Sequence, residues 1–221
     1  MKYYAIIVAG GSGQRMKTDL PKQFIELNGR PILMHTLEKF NQADSSIELV
    51  VVLPKLHHQT WDSLCKKHLF KTPHTICEGG TTRFQSVKKG LSFCKEQAII
   101  AVHDGVRPLL SSAFILKMYS EAEIYKAVIP VLPVVEAIRK VDGKQSQALN
   151  RALYYTVQTP QCFSSDLLLK SYNQKELITF TDDASVVESI GEKIHLFEGE
   201  TDNIKITNPK DLILAEALLK V

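Results

Sequence analysis

Runs of consecutive apolar residues alternate along this 221-residue chain with segments whose apolar positions recur at helical spacing. Residues 3–8, 47–53, 98–102 and 127–132 are apolar nearly throughout, as strands buried on both faces of a parallel sheet are. Shorter extended stretches are predicted at 75–77 and 193–197. Pro31 opens a helix with the stripe Ile32, Leu33, Leu37 and Phe40, and a second helix over 57–70 turns Trp61, Leu64 and Leu69 inward. Thr81 is expected to cap a helix carrying Val87, Leu91 and Phe93. Ser111 or Ser112 caps the next, through Ile115, Leu116 and Tyr119, and Ser164 or Ser165 another, through Leu167, Leu168 and Tyr172. Thr181-Asp182-Asp183 opens a helix through Val186, Val187 and Ile190, and Asn208-Pro209 a closing one with Leu212, Leu214, Ala215 and Leu218 inward. The alternation implies right-handed crossovers and an α/β fold, a Rossmann-like, mainly parallel sheet flanked by helices, in a single domain over 1–221.

The pattern breaks over 133–158, which shows no helical period. Residues 134–141 and 152–157 read as extended, with Asp142-Gly143 as a hairpin turn. So long a hairpin between two sheet strands is hard to bury in its own domain. It is expected to form a protruding β-arm for dimerisation. Tyr154 and Tyr155 pack either at that contact or on the sheet.

Composition narrows the class. With 44% hydrophobic and 23% charged residues the chain carries enough apolar surface for a sizeable core. A net charge of +3 is too small for a surface that coats nucleic acid, yet it suits a local site for a small polyanion. No secretory h-region is visible, and no apolar run approaches the roughly 20 residues of a membrane span, so a cytoplasmic protein with no membrane partner is expected. Cys65, Cys77, Cys94 and Cys162 lack metal or disulfide spacing. His103 and the pair His57-His58 accordingly read as structural or exposed rather than as metal ligands.

The first strand stops in Gly10, Gly11 and Gly13 and is followed by Arg15 and by Lys22 behind Pro21. Bare backbone N–H groups at the carboxyl edge of a sheet are where open α/β folds take phosphates. Two familiar motifs are excluded. The third glycine of a dinucleotide fingerprint is missing, with Met16 in its place, and no G-K-[ST] follows the glycines. Residues Thr18-Asp19 and their neighbours read as a flap over a triphosphate.

The stretch Ala9-Gly10-Gly11-Ser12-Gly13-Gln14-Arg15-Met16, with Leu20-Pro21-Lys22-Gln23-Phe24, resembles the signature of sugar-nucleotide pyrophosphorylases and cytidylyltransferases. Within that superfamily the chain is similar to the 2-C-methyl-D-erythritol 4-phosphate cytidylyltransferases. The likeness continues, in order, through Gly79-Gly80-Thr81-Thr82-Arg83 and on to residue 87, then 103–108, 159–161, 181–185 and 202–207.

The resemblance implies a homodimeric enzyme in which the phosphate of a sugar alcohol attacks the α-phosphorus of CTP and expels pyrophosphate. A phosphate monoester, with its second pKa near ~6, is already largely a dianion at neutral pH, so the lack of a general base in the sequence is no obstacle. By position in the family pattern, Arg15 and Lys22 would stabilise charge around the α-phosphate and the leaving group. Ala9, Gly10, Gly11 and Gly13 would contact the nucleotide through their backbones. Gly80, Arg83 and Ser86 fall where the family holds cytosine. Asp104, followed by Gly105, would serve Mg²⁺ or the ribose and face the second substrate. Arg107, Thr159, Thr181 and Lys205 would bind that substrate, and Arg151 would reach the phosphate in the neighbouring subunit's site.

One departure stands in the arm. Ala137 occupies a position where many family members carry a threonine that also touches the substrate. Ribitol-5-phosphate cytidylyltransferases share most of the same blocks and are the nearest alternative. A catalytically silent nucleotide-binding module is disfavoured by the presence of Arg15, Lys22, Asp104 and Lys205 together. A dehydrogenase is disfavoured by the missing glycine.

Overall fold

The computed structural model describes residues 1–11, 20–95 and 97–220. Gly13 and Arg15 therefore lie outside the described residues. In chain order the elements are β1 (Lys2–Val8), the short pair β2 (Glu26–Leu27) and β3 (Arg30–Pro31), α1 (Ile32–Ala43), β4 (Glu48–Leu53) and α2 (His58–Lys67). Then follow β5 (Thr75–Glu78), α3 (Arg83–Leu91), β6 (Ala98–Asp104), α4 (Ser112–Tyr125), β7 (Ala127–Pro133), β8 (Arg139–Asp142) and β9 (Gln145–Ala148). The chain closes with β10 (Tyr155–Val157), β11 (Gln161–Ser164), α5 (Ser165–Tyr172), α6 (Asp183–Glu188), β12 (His195–Glu198) and α7 (Pro209–Leu218).

The main sheet runs β5-β4-β1-β6-β11-β7, with β10 and β12 also paired to β7. Strands β5, β4, β1 and β6 are mutually parallel, as their all-apolar composition requires of strands covered on both faces. One face carries Ile7, Val51, Ala101 and Cys162 against Met34 and Phe40 of α1, Trp61 of α2 and Ile115 of α4. The other carries Ile6, Val52, Val102 and Phe163 against Val87 of α3, Leu168 of α5 and Val187 of α6. The chain moves outward from β1 to β4 and β5, then returns to β6 on the other side of β1. This places a topological switch, and hence a crevice, at the carboxyl ends of β1 and β6.

Two features depart from the sequence reading. Strand β11, central and antiparallel to both β6 and β7, has no sequence signal, because four residues behind Thr159-Pro160 show no period. It forms with β10 an interrupted strand along β7. Val157 stands opposite Val131 and Cys162 opposite Val128, so the β10–β11 side holds two more residues than its partner. This bulge carries Gln158, Thr159 and Pro160 (the Thr159-Pro160 bond is cis) to the crevice.

Smaller corrections concern helix ends. Thr82, not Thr81, caps α3, accepting from the Gln85 backbone N–H. Helix α2 ends at Lys67, which leaves Leu69 exposed, and Phe93, Leu116 and Leu214 also face outward. In the 133–158 stretch only the β8–β9 hairpin stands apart as its own two-stranded sheet, exposed at every position, while β10 rejoins the main sheet beside β7.

Candidate active site

A cavity of about 310 Å³ opens at the switch point. Its floor is the backbone of Ala9, Gly10 and Gly11 beyond β1, its sides Gly79, Gly80 and Ser86 on one hand and Asp104 and Lys205 on the other. Two close approaches explain the glycines. A Cβ on Gly80 would lie 2.3 Å from the Cβ of Gln85 and 2.9 Å from that residue's carbonyl carbon, so only glycine lets the chain pass the first turn of α3. A Cβ on Gly11 would lie 3.2 Å from Cε of Lys22, whose side chain crosses there into the cavity.

The loop is held by uncharged polar side chains. Ser86 Oγ accepts from the Gly80 N–H at 3.0 Å and donates to Thr82 O at 2.8 Å, so it shapes the wall through the backbone. Fully buried Gln23 donates from Nε2 to Ala9 O at 2.7 Å, which ties the turn bearing Lys22 to the end of β1. An unsupported Lys22 would have no fixed relation to the glycines.

Asp104 is the hub. It ends β6, and its Oδ2 takes Lys205 Nζ at 2.9 Å and Arg107 Nε at 3.4 Å. Burial alone would raise its pKa, but Lys205, Arg83 and Arg107 outweigh burial and hold the carboxyl well below the usual carboxylate range. A second cavity of about 300 Å³ adjoins on the far side, bounded by Thr159, Gln161, Thr181 and Asp182. Arg83, Asp104 and Lys205 line both cavities.

Arg83 is anchored from below. Its Nη2 donates to Asp183 Oδ2 at 2.6 Å, and Tyr172 OH donates to Asp183 Oδ1 at 2.6 Å. Burial opposes its charge, but the Asp183 carboxylate outweighs that and raises the pKa further. Asp183 itself is fully buried at the start of α6. Asp182 caps that helix in a reciprocal box with Ser185, and its Oδ2 accepts from Gln161 Nε2 at 2.8 Å.

Most residues singled out from the sequence meet here: Ala9, Gly10, Gly11, Lys22, Gly80, Arg83, Ser86, Asp104 and Lys205 around the first cavity, and Arg107, Thr159 and Thr181 around the second. One is placed otherwise than expected, and two more are held by the protein's own groups. Gly105 lines neither cavity, and its N–H donates to Val8 O beneath the site. Arg107 reaches the second cavity, yet Nη1 donates to Asn203 O at 2.7 Å and Nε is turned to Asp104, so its guanidinium braces the wall. Arg151, on a short 3-10 turn of the arm, lines neither cavity and donates to Val135 O. Gln23, Gln158, Gln161, Asp183 and Asn203 were missed, although all but Gln158 stand within the motif blocks.

A model of the 2-C-methyl-D-erythritol 4-phosphate cytidylyltransferase family matches residues 3–221. A protein of that name from Bacteroides thetaiotaomicron is 48% identical over 219 residues, covering 99% of this chain and 100% of that one. Another from Clostridium novyi is 43% identical over 225 residues, covering 99% and 97%. Among solved structures, the 4-diphosphocytidyl-2C-methyl-D-erythritol synthase of Anaerococcus prevotii superposes with a TM-score of 0.82 at 31% identity, covering 100% of this chain and 97% of that one. The 2-C-methyl-D-erythritol 4-phosphate cytidylyltransferase of Thermus thermophilus does so with a TM-score of 0.78 at 30% identity, covering 100% of both chains.

Proposed function

The chain belongs to the 2-C-methyl-D-erythritol 4-phosphate cytidylyltransferase family, and from that premise we propose that it joins CTP to 2-C-methyl-D-erythritol 4-phosphate, releasing pyrophosphate. The observation that carries this reading is the shared wall. Arg83, Asp104 and Lys205 border both cavities, so two ligands would meet across one set of charges. The first cavity, with its glycine floor and Lys22, suits a nucleotide, and the second suits a smaller anionic partner.

A non-bridging oxygen of the acceptor phosphate forms a bond to the α-phosphorus of CTP, while the bond from that phosphorus to the β-phosphate oxygen breaks. No proton has to leave the dianionic nucleophile, so the site's task is alignment and positive charge. Lys22 lies against the glycine floor, where the triphosphate and its leaving group would sit. Lys205, held by Asp104, faces the side from which the attacking phosphate would come. Arg15, by its place in the sequence signature, would add a second cation on the leaving-group side.

No group of three or more His, Cys, Asp or Glu side chains with metal-ligand geometry occurs among the described residues. Magnesium usually takes one or two carboxylates and completes its shell with phosphate oxygens and water. Asp104 would be that carboxylate, and the ion would neutralise charge on the triphosphate. Arg151 would act on a neighbouring subunit's acceptor phosphate within a homodimer joined through the arms. The four cysteines are free thiols, in keeping with a cytoplasmic setting.

The decisive experiment is an acceptor panel. Pyrophosphate release from CTP and Mg²⁺ should require 2-C-methyl-D-erythritol 4-phosphate. Turnover with ribitol 5-phosphate instead would overturn the substrate assignment, Ala137 being the residue where that departure would arise.

A further inference from the structure

Lys205 stands on the shared wall by way of a long, part-exposed side chain, so its reach depends on where its backbone is held. That backbone is pinned on both sides. After it, the Ile206 N–H donates to Val106 O at 2.9 Å. Before it, Asn203 is fully buried and meets two other segments at once. Its carbonyl accepts from Arg107 Nη1 at 2.7 Å and from Gln158 Nε2 at 3.4 Å. Its Nδ2 donates to Thr159 O at 2.9 Å and to Gln158 Oε1 at 3.2 Å. Gln158 Nε2 also donates to Glu200 O at 2.8 Å, so this one amide grips both ends of the turn that the Asn203 N–H closes onto Glu200 O.

Three details show what this contact demands of the chain. Gln158 opens the bulge, and its own N–H, bound to Pro130 O at 2.8 Å, fixes where the amide enters. Gly199 makes the room: a Cβ there would lie 2.5 Å from Gln158 Oε1 and 3.2 Å from its Cδ. Asn203 Oδ1 is buried with no donor among the described residues, a cost in free energy that is tolerated while both Nδ2 bonds are kept. We propose that Gln158 and Asn203 form a clasp that positions Lys205 for the acceptor, by fixing the separation between the bulge and the loop that carries Lys205. Both are positioning residues that act through Lys205. The role given to Lys205 rests on the cytidylyl-transfer reading, whereas the clasp itself does not.

Two variants open the clasp differently. Gln158→Met keeps the length of the side chain and removes its hydrogen bonds, whereas Gly199→Ala leaves the amide in place but drives it aside. Hydrogen exchange of the whole protein, read by mass spectrometry, needs no substrate. Peptides spanning 199–207 should exchange at least about fivefold faster in both variants, with those of α3 at the parental rate. Unchanged exchange over 199–207 overturns the proposal. In steady-state kinetics either variant should raise the acceptor KM about tenfold and leave the CTP KM within about twofold of the parent. An equal rise in both overturns it. In a Lys205→Ala background Gln158→Met should cost less than about twofold, since no ammonium is left to misplace. The full tenfold cost there would mark a general structural lesion and also overturns it. If the parent protein transfers no cytidylyl group, that reading fails and the exchange rates still decide whether the clasp holds the loop.

Discussion

Asp104 and Arg151 both stand among the charged residues that the motifs single out, yet their surroundings differ in everything that fixes a side chain. Asp104 ends a strand flanked by β1 and β11, its N–H is taken by Thr159 and its carboxylate by Lys205 and Arg107. Arg151 sits on a single 3-10 turn and donates to a carbonyl of the same arm. Strand β6 is buried along nearly its whole length, whereas β8 and β9 are exposed at every residue. Val135, Val141 and Leu153 leave apolar surface exposed on the arm. A side chain in the cleft is placed by the fold of its own chain. Arg151 on the arm is held by a carbonyl of that arm, away from both cavities of its own chain, and on the proposed reading a neighbouring subunit would place it for chemistry.

That contrast can be broken at three points, in descending order of effect. Lys22→Ala acts inside the cleft and should lower kcat by about 10²–10³-fold with little change in CTP affinity, read by steady-state kinetics and equilibrium binding. An unchanged kcat would detach Lys22 from the chemistry. Next comes acid. His103 is held neutral with its pKa at about 4, below the ordinary 6.5, so between those values the unfolded chain binds a proton that the folded one does not. Stability should therefore fall as pH drops from 6.5 towards 4, by about 3 kcal/mol at about 1.4 kcal/mol per unit. Asp104, its pKa depressed, contributes stability that is present above the unfolded carboxylate value and lost on further acidification. Denaturant titrations should show the upper slope vanish in His103→Gln and persist when Val141 of the arm is changed to Thr.

The third test mixes subunits carrying Arg151→Ala with subunits carrying Lys205→Ala. If arms cross, one site in each mixed dimer regains both residues, and a random mixture should recover about a quarter of parental activity. Recovery at background, once mixed dimers are demonstrated, would confine Arg151 to a role in its own chain.

The fold was legible wherever burial writes itself into composition. All-apolar runs located β1, β4, β6 and β7 because strands covered on two faces must be apolar on both. Strand β11 escaped because its Gln161 and Ser164 are polar yet sit at its ends, where Gln161 donates to Asp182 and accepts from the Ala184 N–H. The charged half of the cleft was legible from Lys22, Asp104 and Lys205, since charges at strand and loop ends need an explanation. Its amide half was not. Gln23, Gln158 and Asn203 carry no charge, and only packing shows that they join loops far apart in sequence, as when Asn203 Nδ2 donates to Gln158 Oε1 at 3.2 Å. Arg107 was legible by its charge and does line the second cavity, but its hydrogen bonds to Asn203 O and Asp104 were not legible.

The two-residue excess between Val157 and Cys162 also sets how this gene segment can change. Cys162 and Phe163 point to opposite layers, one against the α1–α4 side and the other against the α3–α5 side, and both are fully buried. Loss of a single codon there would not shorten a loop. It would set the Phe163 ring where one layer holds the Cys162 thiol and take the ring from the other, because strand register inverts with every residue. Codons for residues 158–160 are free to drift in identity within the limits of the hydrogen bonds above, but their number is frozen by a core they do not themselves enter.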